Sequence, residues 1–63
     1  MIQFTLPDMT CGHCVRTVTA TVQQLDPEAK VSADLGSHTV QIDSRLPADQ
    51  LAKALAEEGY QPA

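Results

Sequence analysis

The two cysteines of this chain lie in the segment Met9-Thr10-Cys11-Gly12-His13-Cys14, separated by two residues. A strand-like pattern precedes the segment and a helix-like pattern follows it, so we expect the thiols at the head of a helix. Two thiols placed in this way can bind a soft metal ion, exchange disulfides with another protein, or form a disulfide with each other.

A helix start provides free backbone N–H groups and the positive end of the helix dipole, and both favour a thiolate over a thiol. We expect Cys11 in the loop and Cys14 in the first helical turn, so that both sulfurs can bind a metal. Soft thiolates select Cu(I), whereas a structural Zn(II) site requires four ligands and this segment offers at most Cys11, Cys14 and His13. Open coordination positions would also let a partner's thiolate enter before one of these leaves. The segment therefore predicts a carrier of Cu(I).

Length and charge exclude several other functions. The 63 residues predict one small domain, residues 1–63, that buries about 60% of its unfolded surface, which argues against an elaborate catalytic pocket. The net charge of −4, without a basic stripe or an aromatic platform, argues against nucleic acid. Without a signal-like or membrane-spanning run, we expect a free cytoplasmic protein with no membrane insertion, where thiols stay reduced and bind metal rather than form a static disulfide.

Apolar residues alternate with polar ones at positions 2–6, 31–35 and 40–42, which predicts three strands that each bury one face. Apolar residues spaced three and four apart predict a first helix that ends near Asp26-Pro27 and a second helix between Pro47 and Gly59. Gly36-Ser37 predicts a hairpin turn between the second and third strands. The residues from Tyr60 onwards can form only a short final strand.

This order of elements predicts an α+β fold, a ferredoxin-like βαββαβ sandwich in which an antiparallel sheet carries two helices on one face. The connections bring the cysteine loop, the Gly36-Ser37 turn and the Gly59-Tyr60 turn to the same end of the domain. These three loops form one candidate binding surface. The side chains expected beneath the helices are Ile2, Phe4, Leu6, Val31, Ala33, Leu35, Val40 and Ile42.

Residues around the thiols have less specific roles. We interpret Met9 as a core anchor for the loop rather than as a third ligand. His13 is a secondary metal-site candidate that either tunes the thiols, joins the ion or is simply solvated, and Tyr60 either covers the metal or caps the core. His38 lies at the same end and is expected to be solvated, and Arg16 either offsets the charge of a metal centre or is an ordinary surface arginine.

The cysteine motif, the order of elements and Glu58-Gly59-Tyr60 together resemble the heavy-metal-associated domain family, and most closely its bacterial cytosolic copper chaperones. The resemblance implies that Cys11 and Cys14 hold Cu(I) and that the protein docks onto a similar domain of a copper-transporting P-type ATPase. The family also includes domains of those ATPases and periplasmic mercury-binding proteins, so an excised ATPase domain is an alternative. The tail after Tyr60 is shorter than the family's, and Tyr60 stands where eukaryotic copper chaperones carry a lysine.

Two other functions fit the motif. Cys-Gly-His-Cys is also the active-site tetrapeptide of protein disulfide isomerase, which makes a thiol-disulfide oxidoreductase an alternative. The chain is too short for a thioredoxin-like scaffold and has Met9-Thr10 where that family has an aromatic residue, so we expect no enzyme. A copper-bridged homodimer is a third reading. The motif does not distinguish Cu(I) from Ag(I), Hg(II) or Zn(II).

Overall fold

The computed structural model describes residues 2–63, and in this range it contains three strands and two helices. These elements confirm the predicted α+β fold. Neither helix in this part of the chain is long and apolar enough to cross a membrane. The elements are β1 (Ile2–Thr5), α1 (Gly12–Leu25), β2 (Lys30–Asp34), β3 (Thr39–Asp43) and α2 (Ala48–Glu57).

The three strands form an antiparallel sheet in the order β1-β3-β2. Val40 on β3 is paired with Phe4 on one side and Ala33 on the other, so β3 is the central strand and contributes the most buried side chains. Both helices direct their apolar stripes at this face, because a helix with apolar residues every three or four positions must bury that stripe. The buried apolar core consists of Leu6, Met9, Val18, Val22, Ala29, Val40, Ile42, Leu51 and Leu55.

The hairpin differs from the prediction at Leu35. We expected Leu35 beneath the helices, but it is 37% exposed and lies in a four-residue turn, residues 35–38. The cause is Asp34, whose Oδ1 accepts the N–H of Gly36 at 2.9 Å and so turns the chain before Leu35 can continue the strand. The prediction for Leu35 was wrong because alternation alone does not show where a local side-chain hydrogen bond ends a strand.

The last residues make almost no sheet. Residues 60–63 form no strand, and one backbone hydrogen bond, from the N–H of Ala63 to the oxygen of Thr5 at 2.8 Å, holds the tail beside β1. Pro62 has no N–H to donate to a ladder, which limits pairing in so short a segment. In the predicted fold a fourth strand would lie beside β1. In this structure the tail takes that position but is too weakly paired to form a strand.

Candidate metal centre

The loop between β1 and α1, residues 6–11, carries the first cysteine, and we call it the metal loop. Its base is fixed to the core, because the side chains of Leu6 and Met9 are fully buried while Pro7 and Asp8 between them are exposed. The N–H of Met9 donates to the oxygen of Leu6 at 2.9 Å and closes this segment into a turn. Met9 is therefore the core anchor that the sequence predicts.

The two cysteines lie at the N-terminus of α1. Cys11 is the N-cap residue, has an extended backbone and is exposed, whereas Cys14 lies in the first turn and is half-buried. Their Sγ atoms are 3.3 Å apart and both thiols are free. This separation is much longer than a disulfide bond of about 2.05 Å and fits a hydrogen bond between two sulfurs. The placement agrees with the prediction of one thiol in the loop and one in the first turn.

The helix start leaves its positive end available to the sulfurs. A Ser or Asp at an N-cap usually accepts a hydrogen bond from the first turn, but the Cys11 side chain makes no such bond in the structure, which describes the whole of this turn. The described first turn of α1 also contains no acidic residue. The partial positive charge of the helix N-terminus is therefore not offset by a local carboxylate and stabilises negative charge on sulfur.

The end of α2 places Tyr60 at the same site. Gly59 has a positive φ of 96°, a conformation that glycine adopts without steric cost, and its N–H donates to the oxygen of Ala56 at 3.0 Å. The N–H of Tyr60 donates to the oxygen of Leu55 at 2.9 Å, which completes a Schellman motif. The turn after the helix directs the half-buried ring of Tyr60 against the core at the end of the molecule that carries the cysteines.

Tyr60 changes the chemistry of Cys14. A hydrogen bond from the Tyr60 hydroxyl is the largest cause that lowers the pKa of Cys14, to about 6, and the backbone amide of Thr10 and the thiol of Cys11 act in the same direction. Partial burial of Cys14 opposes the shift. The same hydrogen bond raises the pKa of Tyr60. At neutral pH, Cys14 is therefore mostly a thiolate, which is the form that binds soft metals.

The two other candidates near the thiols, His13 and Arg16, are both exposed on α1. Within residues 2–63, no group of three or more His, Cys, Asp or Glu side chains converges in a way that could hold a metal ion. The donor set that the structure offers is thus the pair of cysteine sulfurs, and a contribution of His13 or Tyr60 as a ligand stays a prediction.

His38 is the residue whose role the sequence analysis missed. We expected a solvated turn histidine, but His38 is half-buried and its Nδ1 lies 3.0 Å from the carbonyl oxygen of Met9. The hairpin turn, residues 35–38, therefore contacts the metal loop directly. The order of elements predicts that the hairpin turn and the metal loop lie at the same end of the domain. No local sequence pattern, however, pairs two residues 29 positions apart. With Tyr60 beside Cys14, all three predicted loops meet at one surface.

The arrangement can hold one ion between two sulfurs. Thiolate–metal bonds such as Zn–S are about 2.3 Å, so two sulfurs as much as about 4.6 Å apart can share an ion, and 3.3 Å is within that limit. The exposure of Cys11 leaves one side of the pair open to a third ligand from another molecule. The site is suited to reversible binding of a soft ion rather than to a closed four-coordinate structural metal.

Comparison with known proteins agrees with this chemistry. The copper chaperone Atx1 from Synechocystis PCC6803 is 41% identical, superimposes with a TM-score of 0.97 and is matched over 100% of both chains. A solved gold binding protein is 40% identical with a TM-score of 0.94, over 98% of this chain and 95% of that one. A copper transport protein ATOX1 homolog from Dictyostelium discoideum is 34% identical over 53 residues, 82% of this chain and 79% of the relative.

A family-level match covers almost the whole chain. The heavy-metal-associated domain pattern matches residues 3–61, which include the metal loop, both cysteines and Tyr60. The match agrees with the fold and with the two-sulfur site. The chain therefore belongs to the heavy-metal-associated domain family.

Proposed function

We propose that this protein is a copper chaperone that binds Cu(I) between Cys11 and Cys14 and transfers it by ligand exchange to a similar domain of a copper-transporting P-type ATPase. The observation that carries the proposal is the pair of free sulfurs, 3.3 Å apart at an open helix N-terminus, with a Cys14 pKa lowered to about 6. The copper chaperone Atx1 and the ATOX1 homolog, which share its fold or its sequence, support copper as the cargo.

The charge of the site supports a monovalent ion. Two thiolates and one Cu(I) leave a net charge of −1, which the positive end of α1 and the Tyr60 hydroxyl stabilise. A closed Zn(II) site would need two further ligands, and the described residues provide no cluster that contains them. A two-sulfur donor set therefore favours Cu(I) and chemically similar soft ions over Zn(II).

Transfer follows from the open side of the pair. A thiolate of the partner domain would form a bond to the ion first, and one bond from Cys11 or Cys14 would then break, so that the ion never enters water. The leaving sulfur regains the stabilisation of the helix N-terminus and, at Cys14, of the Tyr60 hydroxyl. This chemistry requires reduced thiols, and we propose the cytoplasm as the location because that compartment keeps them reduced.

A competition titration with a Cu(I) chelator under reducing conditions tests the binding site. We expect Cys11→Ser and Cys14→Ser each to weaken Cu(I) binding by at least about 100-fold, because each removes one of two soft donors. Ser37→Ala, which changes an exposed hydroxyl of the hairpin turn, is the matched control and should keep wild-type affinity. Wild-type affinity in either cysteine variant would refute the assignment, and copper-edge X-ray absorption should count two sulfur neighbours.

The partner and the alternatives need separate assays. Mixing copper-loaded protein with the isolated metal-binding domain of a copper-transporting ATPase should move copper between the two, as followed by NMR of the labelled acceptor. Sedimentation with and without one equivalent of copper distinguishes a monomeric carrier from a copper-bridged homodimer. Turnover of a disulfide substrate in a glutathione buffer at an enzyme's rate would instead favour the oxidoreductase, whose reactive thiolate would be Cys14.

A further inference from the structure

His38 in the hairpin turn holds both ends of the turn that precedes the cysteines. Its backbone oxygen accepts the N–H of Leu6 at 2.7 Å, and its ring Nδ1 lies 3.0 Å from the oxygen of Met9. Leu6 and Met9 are joined to each other by the 2.9 Å hydrogen bond between them. One residue of the β2–β3 connection thus fixes the entry and the exit of a turn that lies about thirty residues earlier in the chain.

The direction of the ring hydrogen bond is fixed by chemistry. A backbone carbonyl oxygen can only accept, so His38 Nδ1 carries the hydrogen and donates it to Met9. This hydrogen is present both in the matching neutral tautomer and in the protonated ring. The hydrogen bond therefore does not depend on whether the imidazole is charged.

The backbone of His38 is strained. Its φ is +57°, in the left-handed region, where the Cβ of a non-glycine residue lies too close to the following carbonyl oxygen. The hairpin turn contains a glycine two positions earlier, at Gly36, but the left-handed position is occupied by His38. This conformation is what directs both the ring and the backbone oxygen of His38 to the metal loop, and the two hydrogen bonds to that loop hold it in place.

The carbonyl that His38 contacts belongs to a peptide unit next to the site. The oxygen of this peptide is on Met9 and its N–H is on Thr10, the residue immediately before Cys11. Because a peptide unit is planar, a hydrogen bond to the Met9 oxygen fixes the orientation of the whole unit through which the chain reaches Cys11.

We propose that His38 is a positioning residue of the metal site: its imidazole fixes the orientation of the peptide between Met9 and Thr10, and with it the direction in which the chain enters Cys11. The importance of this for copper rests on the proposed function, but the geometry belongs to the metal-free protein. His38 touches neither the ion nor the sulfurs and acts only through the peptide.

Three substitutions separate the ring from the backbone strain. His38→Ala removes the donor and keeps the strained conformation, whereas His38→Gly removes the donor and relieves the strain. His38→Gln keeps an N–H donor of similar reach. Ser37→Ala is the matched control, because it removes the 2.7 Å contact between the Ser37 and Thr39 hydroxyls in the same turn without touching the metal loop.

Two measurements on the metal-free protein test the proposal. Amide hydrogen exchange by NMR should show the Met9 N–H, which donates to the Leu6 oxygen, exchanging about tenfold faster in His38→Ala and His38→Gly, and near the wild-type rate in His38→Gln and Ser37→Ala. The carbonyl carbon chemical shift of Met9 should move in the same two variants, because the Met9 oxygen loses its donor, and His38→Gln should restore it. His38→Gly is decisive, because its melting temperature should stay close to that of the wild type while the loop loosens.

The proposal fails if Met9 exchange and the Met9 carbonyl chemical shift are unchanged in His38→Gly and His38→Ala, whatever happens to their stability. His38 would then only brace the hairpin. These readouts need no copper, so a wild-type protein that does not bind Cu(I) would refute the proposed function and leave the role of His38 to be decided by the same data.

Discussion

The two ends of this domain differ in whether their polar and reactive groups are buried or accessible. At the end away from the cysteines, Asp26 is 3% exposed, and its carboxylate accepts the hydroxyl of Ser44 at 2.8 Å and the N–H of Glu28 at 3.1 Å. The Ser44 oxygen in turn accepts the N–H of Leu46 at 3.1 Å. The described residues contain no buried side-chain N or O atom without a hydrogen-bond partner. This end joins α1 to the connection before α2 and is closed to further ligands.

At the cysteine end, the reactive atoms are left accessible while their supports are buried. Cys11 is exposed and Cys14 half-buried, but Met9 beneath them is fully buried, and His38 and Tyr60 are half-buried beside them. Polar groups that only stabilise the fold are enclosed, whereas the sulfurs that we propose to exchange copper with a partner are accessible and are positioned by residues that are buried or half-buried.

Met9→Ala should have the largest effect on stability. The side chain is fully buried under the metal loop, so its truncation leaves a cavity and should lower the free energy of unfolding by about 2–5 kcal/mol, measured by urea denaturation. Leu25→Ala, at an apolar position that is 40% exposed, is the control and should cost less than about 1 kcal/mol. An equal effect of both variants would mean that the metal loop is not fixed through Met9.

Asp26→Asn should weaken the closed end. The pKa of Asp26 is lowered chiefly by the Ser44 hydroxyl, so the ionised carboxylate contributes stability that is present above its unfolded pKa of about 3.9 and lost as pH falls through the lower folded pKa. We expect a loss of about 1–3 kcal/mol at pH 7. The difference in unfolding free energy between wild type and variant should shrink below about pH 4.

Asp43→Asn provides the control for that series, because Asp43 is an exposed carboxylate on β3 near the same end. Its unfolding energy should match that of the wild type within about 0.5 kcal/mol at pH 7. A gap between wild type and Asp26→Asn that stayed constant from pH 7 to pH 3 would show that packing, not charge, explains the effect of Asp26.

Tyr60→Phe should change the pKa of Cys14 more than it changes the stability of the fold. The variant keeps the ring against the core and removes only the hydroxyl, which is the main cause of the lowered pKa of Cys14. We expect the pKa of Cys14 to rise from about 6 toward the ordinary thiol range, followed by alkylation rate against pH, with a stability change below about 1 kcal/mol. An unchanged Cys14 profile would assign its reactivity to the helix N-terminus instead.

His13→Ala should have the smallest effect. The side chain is exposed on the first turn of α1 and joins no cluster of metal-binding groups in the described chain. We expect Cu(I) affinity within about threefold of the wild type in the chelator competition assay, because a two-sulfur site does not require the imidazole. A loss comparable to that of Cys14→Ser would make His13 a third ligand.

Much of this architecture follows from local sequence patterns. Alternation at β1, β2 and β3, the apolar stripe of α1 and the stop at Gly59 each depend on residues within a few positions of one another, so they can be read in order along the chain. The same holds for Cys11 and Cys14, since a spacing of three residues at a helix start brings two sulfurs together without help from the rest of the fold.

The tertiary structure decided what surrounds those sulfurs. The contact of His38 with Met9 spans 29 residues and that of Ser44 with Asp26 spans 18, and no local preference specifies either pair. Tyr60 became the main influence on Cys14 only because the turn after α2 returns the chain to the start of α1. The sequence by itself determined which atoms can bind a metal. The packing of distant loops determined the ionisation and orientation of those atoms, because both properties depend on neighbours that only folding brings within hydrogen-bond distance.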